Sequence, residues 1–311
     1  MQLLMSVLTV SPVETTIQLI KNIIGLEPKS KILIHVNIEE DYEKFVGEVL
    51  NEIPESEDWL FFNPNQIPTQ WGYITQALLS NMKYAYENLV FDYYLVLPFN
   101  CLMIKPGITD FIKKNPADTY CQFLRKTDRN IWLTTRFYNK ITTGKSKTRF
   151  SSSRWFRKSI LAKHILNAYK VNGFLFESYH EGLCFKKEVL QYFTTICDEK
   201  VFKSLSKSKY FSLKIKINKK FKNHIIYPHI AEEVVFASVV KKITHNGDYS
   251  NSLNQFCYLN MKKKGYPTYS EIKERMKKKP ETFFYKWVST DSTDANRLKI
   301  LKGVKEEYSI S

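Results

Sequence analysis

The sequence predicts an α/β protein with a mostly parallel central sheet and helices on both faces. Three observations lead there. Over the first 115 residues, apolar runs suited to buried strands alternate with amphipathic helical stretches. The connections between them are short, as in repeated βα units. The chain is 311 residues long, 43% hydrophobic and 14% aromatic, enough for a sizeable core and incompatible with wholesale disorder.

The elements follow in order. Leu3 to Thr9 is an apolar run that reads as a buried parallel strand. Ser11-Pro12-Val13-Glu14 then reads as a capping box with proline at the first helical position, opening a helix that stops at Gly25. Lys31 to Asn37 is the second strand and Glu40 to Leu50 the second helix. Trp59 to Phe62 is a third strand. Trp71 to Leu89 is a long helix with Ile74, Leu78, Met82 and Ala85 on one stripe. Tyr93 to Leu97 is a fourth strand, ended by Pro98 and a polar turn, and a short helix lies near 108–113. Ligands of such sheets are expected at the C-terminal strand ends.

The second half is more mixed. Helices are expected at 155–169, 187–197, 230–243 and from Ala295 onward. Strands are expected at 211–217, 256–261 and 283–288. Charge separates the halves more sharply than pattern does. Residues 1–150 carry 16 Lys+Arg against 16 Asp+Glu, whereas 151–311 carry 31 against 15, so the whole net charge of +16 lies in the second half. A polyanionic, phosphorylated or membrane-surface partner accounts for such an excess, as do solvated lysines in part. Five cysteines (101, 121, 184, 197, 257) form no CxxC pair and read as reduced thiols, so a cytoplasmic location is expected. No apolar run reaches the length of a membrane span, and the first ten residues lack a basic n-region and a cleavage site.

Several chemistries leave no trace. No GxGxxG follows a strand, Gly144-Lys145-Ser146 lacks the rest of a P-loop, and there is no HExxH or GxSxG. No Asp-x-Asp occurs, although a metal-dependent sugar transferase holds its divalent ion with such clustered carboxylates. A nucleotide site in this chain would have to neutralise phosphate with lysine or arginine.

A series of short stretches resembles the core-2/I-branching N-acetylglucosaminyltransferase family, which includes the peptide-O-xylosyltransferases. They are Ile32-Leu33-Ile34-His35-Val36-Asn37, Trp71-Gly72 heading a long helix, and Asp92-Tyr93-Tyr94-Leu95-Val96-Leu97 before a turn. Glu181-Gly182-Leu183-Cys184-Phe185, Ala231-Glu232-Glu233 and Phe283-Phe284-Tyr285-Lys286-Trp287 follow. Together they span roughly residues 30–290. Cys101 and Met103 depart from the family's turn, where an aspartate and a proline are usual.

The resemblance implies a GT-A-like fold with no Asp-x-Asp metal site. It implies one glycosyltransferase domain over 1–311, with a nucleotide-binding Rossmann-like half at 1–115 and a basic acceptor and catalytic half at 116–311. The implied activity is inverting, metal-independent transfer of an N-acetylglucosamine- or xylose-like sugar from a UDP-sugar to a carbohydrate or lipid-linked glycan acceptor, in surface polysaccharide or glycan synthesis. No cofactor and no nucleic acid are called for. Glu233 would be the base that deprotonates the acceptor hydroxyl; alone, Glu232 and Glu233 read equally as first-turn acids complementing a helix dipole. Lys286 would balance charge on the departing diphosphate and otherwise reads as a solvated lysine. His35 and Asn37, at a strand's C-terminal end, would contact the donor nucleotide; His35 alone reads as a buried, hydrogen-bonded histidine. Trp71 and Trp155 are stacking candidates that read more simply as core. The lysine-rich stretch 203–222 is a candidate dock for an anionic membrane, consistent with a free-standing catalytic unit peripheral to a membrane. Two rival readings stand beside this one: a basic nucleic-acid-binding α/β protein, and an inactive glycosyltransferase relative, kept open by Cys101 and Met103.

Overall fold

The computed structural model describes residues 1–9, 12–67, 69, 74–121, 125–127, 136–139, 175–177, 180–197, 224–227, 236, 239–240, 243, 252–253, 256–258, 266–286 and 288–310. The first half alternates strictly: β1 (Leu3–Leu8), α1 (Val13–Leu26), β2 (Lys31–Asn37), α2 (Tyr42–Glu52), β3 (Leu60–Ile67), α3 (Ile74–Asn88) and β4 (Tyr93–Pro98). After it come β5 (Cys101–Met103), α4 (Ile108–Lys114), β6 (Thr119–Tyr120), β7 (Arg125–Thr127), β8 (Arg136–Asn139), β9 (Leu175–Glu177) and β10 (Cys184–Lys186). The remainder comprises α5 (Lys187–Cys197), β11 (His224–Tyr227), β12 (Ser252–Leu253), β13 (Cys257–Tyr258), α6 (Tyr269–Lys277), β14 (Phe284–Lys286) and α7 (Ala295–Tyr308).

The main sheet has seven strands in the order β12-β6-β10-β4-β1-β2-β3. All the pairs among β1 to β4 are parallel; β10 runs antiparallel to both β4 and β6, and β12 is parallel to β6. The fold is therefore α/β with a mostly parallel sheet. Side chains alternate between the two faces as the pleat requires. Leu3, Met5, Val7, Ile32 and Ile34 pack with α1 and α2 in one core cluster, whereas Leu4, Leu8, Leu33, Tyr94 and Val96 pack with α3 and α5 in the other. Every residue of β1 and β4 is buried, which is why these strands read as continuous apolar runs.

Several sequence expectations are corrected in detail. Helix α1 begins at Val13 with Pro12 as its N-cap, and Ser11 of the expected capping box lies outside the described residues. Pro12 offers its carbonyl to Thr15 N–H at 3.1 Å. The helix also runs past Gly25 to Leu26, where Ile310 covers the glycine so closely that a Cβ there would lie 2.6 Å from Ile310 Cγ2. Strand β3 extends to Ile67, beyond the expected Phe62, with a register irregularity opposite His35 and Asn37. Within the strand expected over 256–261, the described residues form a ladder at Cys257–Tyr258, and 259–261 lie outside them. Helix α6 was not read from the sequence, although Thr268 and Glu271 form a complete capping box at its start. The elements expected at 155–169 and 211–217 lie outside the described residues, as does most of 230–243.

Strand β5 pairs with β14, and β14 with β13, in a three-stranded sheet beyond the end of β4. A side chain holds it to α1: Asn22 Nδ2 donates to Met103 O at 3.0 Å while Met103 N–H donates to Asn22 Oδ1 at 2.7 Å. Asn22 thereby satisfies the strand backbone as a neighbouring strand would. Arg297 of α7 is fully buried and locks the last helix to the first. Its Nε donates to Gln18 Oε1 at 2.6 Å, Nη1 to Ser289 O at 2.9 Å and Nη2 to Thr15 O at 3.3 Å.

Candidate functional site

The order β3-β2-β1-β4 reverses its winding between β1 and β4. Helices α1 and α2 lie on one face and α3 on the other. Such a switch point opens a crevice outside the carboxyl ends of the two strands, where doubly wound sheets take nucleotides. The crevice lies off Leu8 and Thr9 on one side and Pro98 to Asn100 on the other. A separate cavity of about 680 Å³, lined by Trp59, Ile53, Tyr308 and Ile310, lies at the opposite, amino-terminal edge of the sheet.

Three charged or titratable side chains converge at the β4 end. In the β10–β4 ladder Cys184 sits opposite Leu95, and Gly182 N–H donates to Val96 O at 2.8 Å, so Glu181 falls beside Pro98. In the small sheet, Lys286 pairs with Cys101, three residues past Pro98. The two side chains meet: the Lys286 ammonium donates to Glu181 Oε1, with the carboxylate 5% and the lysine 16% exposed. His180 Nε2 lies 3.5 Å from the same oxygen, and His180 Nδ1 is buried without a hydrogen-bond partner among the described residues.

The turn linking β4 to β5 is tied at several points. Cys101 Sγ donates to Pro98 O at 2.9 Å and Val288 N–H to Asn100 O at 3.2 Å. Asn100 Oδ1 is buried with no partner among the described residues. Gly182 (φ +79°) is required where it stands, because a Cβ would lie 2.6 Å from Cys257 Cβ and the backbone is left-handed.

Electrostatics sharpen the cluster. Burial alone would raise the Glu181 carboxyl, but His180 and the Lys286 ammonium outweigh it and hold it below the ordinary carboxylate value. Burial lowers His180 to about 4; Glu181 opposes that shift and Lys286 adds to it. Burial pushes the Cys101 thiol up to about 12, so it is a neutral neighbour. In the free protein at pH 7 the cluster therefore holds one cation, one anion and a neutral imidazole.

His35 and Asn37 occupy the end of β2, where the expected position is observed but their side chains serve the fold. His35 is completely buried, and Ile67 N–H donates to its Nε2 at 3.1 Å, which assigns the proton to Nδ1. That Nδ1 has no partner at hydrogen-bond geometry among the described residues. Burial lowers this imidazole to about 4, with the nearby carbonyls of His35 and Asn65 opposing in part. Asn37 Oδ1 accepts from Thr69 N–H at 3.1 Å, tying the segment after β3 to the crevice. Glu233 and Glu232 lie outside the described residues, as do Trp71, Trp155 and the lysine-rich stretch 203–222. The cysteines at 101, 121, 184 and 257 are buried thiols.

The two depressed histidines predict an acid response. Each folded-state value lies below the unfolded value near 6.5. Their contribution is therefore complete above pH 6.5 and is lost as pH falls toward 4, by up to about 1.4 kcal/mol per pH unit for each. Chemical denaturation at pH 5 should show uptake of about two protons on unfolding. A stability flat between pH 6.5 and 4.5 would mean that both imidazoles are hydrated in the fold.

Among the described residues no helix is long and apolar enough to cross a membrane, and no group of three or more His, Cys, Asp or Glu side chains could hold a metal ion. No family model and no curated protein matches the chain. Solved structures with a similar fold include a galactosyltransferase, LgtC, in complex with donor and acceptor sugar analogues (8% identity, 99% of this chain and 95% of that one, TM-score 0.43). They also include the apo form of the glycosyltransferase GlyE of Streptococcus pneumoniae TIGR4 (11% identity, 100% and 60%, TM-score 0.37). A third is the inositol-1-phosphate CTP transferase of T. maritima (9% identity, 97% and 96%, TM-score 0.38). The likeness is one of fold alone.

Proposed function

We propose that the chain is a GT-A-like glycosyltransferase, inverting and independent of metal, that moves a sugar from a UDP-sugar to a carbohydrate acceptor. The observation that supports this reading is the Lys286 ammonium held by Glu181 beyond the carboxyl end of β4, beside a turn, Pro98-Phe99-Asn100-Cys101, that contains no carboxylate. As the glycosidic bond to UDP breaks, negative charge grows on the diphosphate, and a fixed cation in a water-poor site stabilises it. The acceptor hydroxyl attacks the anomeric carbon from the opposite side and Glu233 takes its proton. UDP leaves with the electron pair of the broken C–O bond, and the configuration inverts. In this reading His35 and Asn37, at the carboxyl end of β2, contact the donor nucleotide.

The transferred unit in this reading is an N-acetylglucosamine- or xylose-like sugar, and the acceptor a surface or lipid-linked glycan. The work would be done on the cytoplasmic side, where the +16 charge of residues 151–311 suits an anionic membrane surface. Titration calorimetry with UDP in EDTA tests the donor half: binding is expected without added metal. At a hundredfold excess over Kd, ligand should stabilise the fold by about 2.7 kcal/mol. Binding that appears only with manganese removes the metal-independent claim, and failure to bind UDP under both conditions removes the nucleotide donor.

A further inference from the structure

Lys286 faces two claims that one ammonium cannot meet. It already neutralises Glu181, and both are largely buried. Ion pairs of this kind contribute little net stability, because desolvation offsets the attraction. The pair is therefore poorly explained as a structural brace, and it stands beside the turn after β4, where in the reading above the donor's diphosphate would sit. When that group arrives, the site gains negative charge, and among the described residues Lys286 is the one fixed cation paired with Glu181. We propose that His180 supplies it: binding of a nucleoside diphosphate ester beside Lys286 is accompanied by uptake of a proton on the His180 imidazole. The cluster thus becomes a two-cation phosphate receptor oriented by Glu181. This inference rests on the donor reading above.

The geometry supports it at both nitrogens of the imidazole. Nε2 lies 3.5 Å from Glu181 Oε1, so an imidazolium has its counter-ion in place. Nδ1 is buried with no partner among the described residues, so protonation creates a donor there that none of them satisfies and that a phosphate oxygen would. Among the described residues, the groups that face the cluster are Lys286 on β14, Cys101 on β5 and Cys257 on β13, with Arg297 beyond Cys101. Burial keeps both thiols protonated, so they add no charge that could substitute for the imidazolium. A phosphate a few ångström away, in an effective dielectric of about 20, is sufficient to carry His180 from about 4 toward neutrality.

The sign follows from linkage. The imidazole value rises on binding, so affinity is greatest at low pH and falls, by up to about tenfold per pH unit, as pH rises through the bound-state value. The probe is UDP-N-acetylglucosamine, whose diphosphate diester does not titrate in this range. Calorimetry at pH 6 in two buffers of different ionisation enthalpy should show close to one proton taken up per ligand. His180→Gln, a neutral-for-neutral change, should abolish the uptake, weaken binding at pH 6 by about tenfold and flatten the pH profile. Wild-type binding without proton uptake overturns the proposal and leaves the donor reading standing. Uptake that persists in the variant also overturns it, because the proton then rides on Glu181. Absence of binding by the wild type at any pH overturns the donor reading, and this inference with it.

Discussion

Replacing Glu233 by glutamine is expected to lower sugar transfer by about 10²–10⁴-fold while leaving UDP affinity and melting temperature nearly unchanged. Glutamine keeps the size and most of the hydrogen-bonding capacity of the side chain but cannot take the acceptor's proton. Glu232→Gln is the control. The two acids are adjacent, and as first-turn helix residues they would contribute similarly to the dipole, by a few tenths of a kcal/mol each. Collapse in the Glu232 variant alone would move the base by one residue. Equal, mild losses in both would make them ordinary helix acids and leave the reaction without its proton acceptor.

Lys286→Ala is the second large effect. Removing the ammonium should slow turnover by about 10²-fold or more, because the leaving diphosphate loses its fixed counter-charge. It should also destabilise the fold by about 3–5 kcal/mol, since Glu181 is left buried without its partner. The Glu181 value is depressed in the intact protein. The stability it contributes is therefore present above the unfolded carboxylate value and lost as pH falls through the folded one. Urea denaturation of the variant at pH 7 and pH 4 should accordingly converge with wild type at the lower pH. The double variant Lys286→Met with Glu181→Gln restores a neutral pair, and should recover most of the stability but not the turnover. Recovery of both would place Lys286 in the scaffold and outside the chemistry.

The first half of the fold was legible because its signals are local. Buried parallel strands such as Leu3–Leu8 and Lys31–Asn37 are apolar runs of strand length, and α3 carries its stripe at helical spacing. The sequence predicts a turn where β5 stands. Three residues make no periodic signal, and its backbone is satisfied by Asn22, 81 positions away. At the site, the sequence singled out Lys286 through a motif but passed over His180 and Glu181. The signal was a carboxylate standing directly before the apolar strand entry Gly182-Leu183-Cys184-Phe185, with no cation beside it. Its partner lies 105 residues on, across a strand pair that no local pattern announces.

The sequence by itself determined the α/β class, the order of the first seven elements, the absence of a carboxylate pair after β4 and the concentration of positive charge beyond residue 150. These are properties of composition and short-range periodicity, and they survive without knowledge of any contact. Only the tertiary structure decided that His35 accepts from the backbone of β3, that β10 inserts antiparallel against β4, and that Glu181, His180 and Lys286 meet beyond the end of β4. The physical reason is that an ion pair has no period. Its energy depends on burial and on distance in space, both of which are set by how β4, β5, β10 and β14 come together.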